Sequence, residues 1–175
     1  MEVHLNDLNV EALVLDFYHF YGNSNSYINS PGWYRAEARI LRNSVRSYAP
    51  DGLFWLVLDS NKEGRYPRAK HTGAHCYHYG WVRSQEQMNL KSKQVQKYWG
   101  NKHQNIDYSQ MDKDIMKEFK GTHPAIIQKW LPKELGLFHV DSNYQPTIKQ
   151  KKHRIMLKIE KIFGLELSKK HYKMI

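Results

Sequence analysis

Three short stretches of this chain carry side chains able to do chemistry, and each also has an ordinary structural use. Tyr77-His-Tyr-Gly-Trp-Val-Arg83 sets an imidazole, a glycine turn, an indole and a guanidinium in one run. A neutral imidazole can bind a divalent metal, and a guanidinium can grip phosphate as a fork. The same block also reads as a buried aromatic cluster with His78 hydrogen-bonded structurally. Trp33-Tyr-Arg-Ala-Glu-Ala-Arg39 spaces Arg35, Glu37 and Arg39 at period two, so one strand face would hold a carboxylate between two cations that keep it ionised. Such a face suits a charged floor for a sugar or diphosphate; read alone, it suits a solvated face with ion pairs worth ~0–1 kcal/mol. Asp51, between Pro50 and Gly52, sits in a turn where a carboxylate projects freely, which is also common turn chemistry. Asp16 and Glu11 are alternative carboxylates, Asp16 lying inside an apolar run as a paired core residue.

Two further features carry a functional and a plain reading. His71, His75, Cys76 and His78 suggest zinc by proximity, but on a strand His75 and Tyr77 point one way while Cys76 and His78 point the other, and no second ligand pair stands at zinc-finger spacing. Residues 146–175 hold nine Lys or Arg against Glu160 and Glu166. Ile155, Ile159 and Ile162 share a helical face there, giving a basic amphipathic helix. It could lie on an anionic membrane. The plainer expectation packs its isoleucines on the body and leaves the lysines in water.

The elements that must position these residues are strands first, then helices. Val10 to Tyr21, rich in β-branched and aromatic residues and ended by Gly22, reads as a buried strand. Asn23 to Gly32 is a loop of functional length. Residues 33–43 and 74–80 read as strands, with a short apolar run at Phe54 to Leu58. From Ser84, an N-cap, the period becomes helical through Met88, Val95 and Trp99. Asp112 to Phe119, Pro124 to Leu131 and Thr147 to Phe163 are further helices, the last stopped by Gly164. The expectation is one α/β domain over 1–175, strand-rich over 1–83 and mainly helical over 84–175, with helices packed on one sheet.

The composition agrees with a single packed core. The 175 residues are 41% apolar and 13% aromatic, with 12 Tyr and 5 Trp, so large rings supply much of the buried area. Lys and Arg number 27 against 17 Asp and Glu, a formal charge of +10, which favours anionic partners. One cysteine, Cys76, cannot form an intramolecular disulfide, so a reducing cytoplasm fits. No stretch approaches the ~20 apolar residues that cross a bilayer.

Together, Tyr18-His-Phe-Tyr-Gly22, Trp33 to Arg39 with Ile40 and Arg42-Asn43, Tyr77 to Arg83 with Met88 and Lys91, and Gly121-Thr-His-Pro124 resemble the second half of bacterial nucleotide-sugar glycosyltransferases of the inverting GT-A type, family 2-like. The blocks cover nearly the whole chain. The resemblance implies a partial GT-A-like mixed sheet with C-terminal helices, the N-terminal nucleotide-binding half being absent. It implies single displacement: an acceptor hydroxyl attacks the anomeric carbon, a carboxylate takes its proton, and metal plus cations neutralise the departing diphosphate. His78 matches the late histidine that completes the metal site. Asp51 or Glu37 resembles the base, although Asp51-Gly-Leu-Phe departs from the family's pattern. Trp33, Arg35, Arg39, Tyr79, Trp81 and Arg83 would bind substrate.

The partners implied are a nucleotide-sugar donor and a glycan or lipid-linked acceptor, with manganese or magnesium in the full-length enzyme. Peripheral contact with the inner membrane face through 147–175 is the membrane reading. The chain alone is expected to bind nucleotide sugar weakly or not at all. The competing class is a basic, aromatic-rich module that grips single-stranded nucleic acid without catalysis. No recognised nucleic-acid motif supports it, so no nucleic acid is expected as partner.

Overall fold

The computed structural model of the chain describes residues 6–50, 52–99, 107–131, 137 and 140–175. In chain order it runs β1 (Ala12–Tyr21), β2 (Ser26–Ile28), β3 (Ala36–Leu41), β4 (Ser47–Tyr48), β5 (Leu56–Leu58), β6 (Gly64–Arg65) and β7 (Arg68–Trp81). Helix α1 (Gln85–Trp99), a 3-10 turn (Lys113–Ile115), β8 (Met116–Glu118), α2 (Ala125–Gln128), α3 (Ile148–Phe163) and β9 (Lys173–Met174) follow. The class is mixed α/β. β1 pairs antiparallel with β2 and β3, β2 antiparallel with β8, and β7 parallel with β9, so the main sheet is mixed.

The chain forms two compact units that interleave in sequence. The first draws on Met1–Phe17, Gly32–Cys76 and Ser168–Ile175, the second on Tyr18–Pro31 and Tyr77–Leu167. The change from strand to helix near Ser84 is therefore a change of element type inside the second unit. β1 and β7 each pass from one unit into the other.

In the first unit, β1 and β3 pair from Ala12↔Leu41 to Asp16↔Ala36 with a register shift at Leu13/Val14. Their small residues let the sheet close on a core of Ala12, Val14, Ala36, Ala38, Ala69 and Tyr172. β9 brings Tyr172 there from the end of the chain. Strands β4, β5 and β6 form a separate antiparallel sheet. Arg65 on β6 reaches Glu11, just before β1, with two contacts of 2.7 Å, and the Arg68 backbone N–H donates to Glu11 at 2.8 Å. A carboxylate so surrounded is held well below its usual range, to about 2, chiefly by the Arg65 hydrogen bonds.

In the second unit the expected helix over Asp112 to Phe119 is replaced by the 3-10 turn and β8. Met116 to Glu118 extends beside β2, pairing Ile28↔Met116 to Ser26↔Glu118. Asp112 caps the 3-10 turn by accepting from the Asp114 backbone N–H and also accepts from Arg154 of α3. The helix expected over Pro124 to Leu131 shrinks to α2, four residues. α1 starts as expected: Ser84 Oγ accepts from the Gln87 N–H at 3.3 Å and the Gln87 side chain accepts from the Ser84 N–H. α3 also starts and stops as expected, with Thr147 and Gln150 in a capping box and Gly164 left-handed at φ 64.

Candidate functional site

The strongest convergence of chemistry-bearing residues lies where two near-copies of one motif meet. β1 and β7 are neighbours in the sheet. They run in the same direction, as the bonds from Glu11 N to Arg68 O (2.9 Å) and from Gly22 N to Trp81 O (3.0 Å) require. Tyr18-His-Phe therefore lies beside Tyr77-His-Tyr residue for residue. Tyr18 and Tyr77 have ring centroids 5.5 Å apart, and Phe20 and Tyr79 stack at 4.9 Å and 6°. His19 and His78 place their Nδ1 atoms 3.0 Å apart. One of the two must then donate and the other accept, so both Nδ1 atoms cannot be protonated at once. His19 is buried. The ring of His78 lies over Gly80, where a Cβ would come within 2.6 Å of Nε2, so this glycine makes room for the imidazole.

The block Gly121-Thr-His-Pro124 joins this cluster. His123 Nδ1 lies 2.8 Å from the Tyr79 hydroxyl. Burial pushes Tyr79 up to about 12 and lowers His123, so at neutral pH a protonated phenol donates to an uncharged imidazole. Phe119 packs edge-on against Phe20 and Tyr77. Trp81 meets Tyr21 and Tyr108, each at 6.0 Å. Lys91 lays its ammonium 4.3 Å from the Trp81 ring centre and donates to the Gly80 carbonyl at 3.1 Å. Burial lowers its pKa. Tyr79 and Trp81 are thus tied into packing and hydrogen bonds, whereas Arg83 is exposed.

Beyond the end of β1, a cavity of about 360 Å³ opens in the second unit, lined by Tyr21, Asn23, Asn25, Ser26, Lys113 and Lys117 among others. Pockets of small ligands begin at about this size. Its wall is the loop after Gly22 on one side and the 3-10 turn with β8 on the other. Asn23 Oδ1 accepts from the Asn25 N–H and the Ser26 hydroxyl, which holds the loop in shape. The Tyr21 hydroxyl donates to the Tyr108 carbonyl at 2.9 Å, and burial raises its pKa. Neither Lys113 nor Lys117 has a carboxylate within ion-pair distance among the described residues. Two ammonium groups against the single carboxylate of Glu118, beside amide and hydroxyl groups, leave the lining cationic, which suits an anionic, hydroxyl-rich ligand.

The residues expected to act together fall in different units. Trp33, Arg35, Glu37 and Arg39 belong to the first, and His78, Tyr79, Trp81 and Arg83 to the second. Asp51 lies outside the described residues. The charged strand face expected around Glu37 does not form: Ala36, Glu37 and Ala38 are all buried. The Glu37 side chain is 0% exposed; one oxygen accepts from the Ala38 N–H at 3.0 Å and the other meets His171 Nδ1 at 2.6 Å. Phe54 stacks on His171 at 4.4 Å, and Tyr66 meets it edge-on. Arg39 donates to the Leu53 carbonyl and the Tyr34 hydroxyl and lies over the Phe17 ring. Trp33 and Arg35 are half-buried in the bend before β3, which begins three residues later than expected.

The histidines near Cys76 diverge. His71 and His75 turn to Asp16, at 3.0 and 3.8 Å, so Asp16 is paired as expected but half-exposed, not a core residue. Burial pushes the Cys76 thiol up. No group of three or more His, Cys, Asp or Glu that could hold a metal occurs among the described residues. His78 brings one further donor, the imidazole of His19, whereas magnesium and manganese favour oxygen ligands. These residues do not fit a resident divalent ion.

Sequence reasoning missed Lys113 and Lys117, because a helix read over Asp112 to Phe119 hides the 3-10 turn that carries the first and the strand that carries the second. It also missed His19 and His171, whose partners are 59 and 134 residues away. The near-repeat of Tyr-His-aromatic at 18 and 77 was the available signal. No family model matches the chain, and no curated protein or solved structure matches it either.

Proposed function

We propose that the chain is the acceptor-side half of a nucleotide-sugar glycosyltransferase of the inverting GT-A type, and that the cavity beside β1 holds the anionic part of a glycan or lipid-linked acceptor. One observation carries the reading. Three of the four blocks behind the resemblance, Tyr18 to Gly22, Tyr77 to Arg83 and Gly121 to Pro124, interlock within one unit through His19–His78 (3.0 Å) and Tyr79–His123 (2.8 Å), whereas Trp33 to Arg39 belongs to the other. Tyr21, at the end of the first block, lines the cavity. Lys113 and Lys117 would neutralise a phosphate there, and Asn23, Asn25 and Ser26 would meet sugar hydroxyls. Asp51 is the base in this reading. Glu37, buried on His171, is a positioning residue for the strand that carries Arg39. The donor and the divalent ion of this enzyme class are proposed to be held by the other half of the enzyme.

The alternative, stacking of single-stranded nucleic acid on exposed rings, is less well supported, because the rings of Tyr18, Phe20, Tyr77, Tyr79 and Phe119 pack on one another. Titration of the 175-residue chain with sugar phosphates, polyprenyl-phosphate sugars and nucleotide sugars tests the proposal. Saturable binding of a phosphorylated acceptor is expected, weakened about tenfold by Lys117→Gln, the usual size of one lost charge-assisted bond. Absence of binding to any of these by the folded chain overturns the reading.

A further inference from the structure

Helix α3 is mounted inside out. Its polar side is fixed to the second unit: Arg154 forks onto Asp112 at 2.6 and 2.7 Å and meets Asp114 at 2.8 Å, with the Asp112 side chain 0% exposed. His153 lies 3.3 Å from the Ser30 hydroxyl, and the buried Glu160 accepts from the Leu167 N–H at 2.7 Å. With that side held, the opposite side faces out, and it carries the helix's isoleucines and Phe163, while Met156 and Leu157 are half-buried. Ile148, Ile155, Ile162 and Phe163 are 77%, 58%, 74% and 67% exposed, and Ile159 is 37% exposed. At 3.6 residues per turn these five fall within an arc of roughly 100°. The isoleucines expected to pack on the body therefore do not.

The flanks of this stripe identify what covers it. Lys151 and Lys158 border it on one side, Lys149 on the other, and Lys152 stands within it, all exposed. The helix's single acidic residue, Glu160, is on the buried side. A partner helix or a second copy would have to bury these ammonium groups or supply carboxylates against them. An anionic lipid surface takes the isoleucines into its acyl boundary and leaves the lysines at the headgroups. We infer that α3 is an interfacial helix that seats this unit on an anionic membrane surface, the Ile148–Ile155–Ile159–Ile162–Phe163 stripe entering the lipid and Lys149, Lys151, Lys152 and Lys158 meeting its phosphates. The inference stands on the helix alone and does not need the glycosyltransferase reading.

The test uses the full chain with Phe163→Trp as reporter and vesicles of phosphatidylcholine alone or with about a third phosphatidylglycerol. Binding is expected only to the anionic vesicles, with a blue shift of the reporter's emission. The triple change Ile155→Ser, Ile159→Ser, Ile162→Ser, at outward positions, should keep the circular dichroism spectrum and weaken partition at least about tenfold. Lys151→Gln with Lys152→Gln and Lys158→Gln should weaken it most at low salt, the difference from the parent shrinking as salt rises. Three results overturn the inference: no association with anionic vesicles, association without a blue shift, or a concentration-dependent dimer in light scattering that the isoleucine changes abolish while vesicle binding is unaffected.

Discussion

At Gly80 the missing side chain is a space already taken by His78. Gly80→Ala would bring a methyl within 2.6 Å of Nε2 and 3.1 Å of Cε1 of a ring that His19 holds in place. A displaced imidazole in a packed cluster costs about 1–3 kcal/mol. Urea denaturation of Gly80→Ala is expected to show that loss, and combining it with His78→Ala should recover part of it; strict additivity of the two changes would refute the crowding. Sequence alone offers a simpler reason for this glycine, the end of a strand, because the ring occupying its space is set by a histidine 59 residues away. Glu37 illustrates the same limit. Period two put it on a charged face with Arg35 and Arg39, but a partner 134 residues distant, His171, draws it into the interior. The residue types were legible and the long-range pairing was not.

Elements were legible where local rules suffice. The capping boxes at Ser84 and Thr147 and the left-handed Gly164 define helix ends by contacts a few residues long, so α1 and α3 begin and α3 ends where the sequence puts them. β8 was illegible for the opposite reason: three residues with helical propensity become a strand because β2 offers them a ladder. The attachment of β6 and β7 to the start of β1 depends on Glu11, and this has a pH signature. The carboxyl is near 4.5 when free and about 2 when folded, so its stabilisation is complete above 4.5 and is lost as pH falls from there toward 2. After allowance for solvent screening at the partly exposed arginines it amounts to about 1–2 kcal/mol. Chemical denaturation between pH 6 and 2.5 should therefore fall less steeply for Glu11→Gln than for the parent chain, and equal slopes would exclude the assignment.

Across the whole molecule, charge and packing make different statements. A formal charge of +10 attracts any polyanion, nucleic acid included. Specific grip on single strands also needs rings available for stacking, and Phe20, Tyr77 and Tyr79 are engaged with one another. Association with oligonucleotides is expected to be independent of sequence, to collapse as salt is raised and to leave tyrosine and tryptophan fluorescence unquenched; strong quenching at high salt would reopen the binding-module alternative. The division into two interleaved units was not readable from the chain, because the strands that serve both, β1 and β7, show no break in composition where they pass from one to the other. Among the described residues no helix is long and apolar enough to cross a membrane. The outward mounting of α3 bears on how sequence variation here is interpreted. In a library of single substitutions scored by cellular abundance, tolerance along this helix should follow which side faces out and not the hydrophobic scale. Isoleucines 155 and 162 should accept polar replacements with little loss, while Arg154 and Glu160, charged residues on an apparent surface helix, should accept almost none.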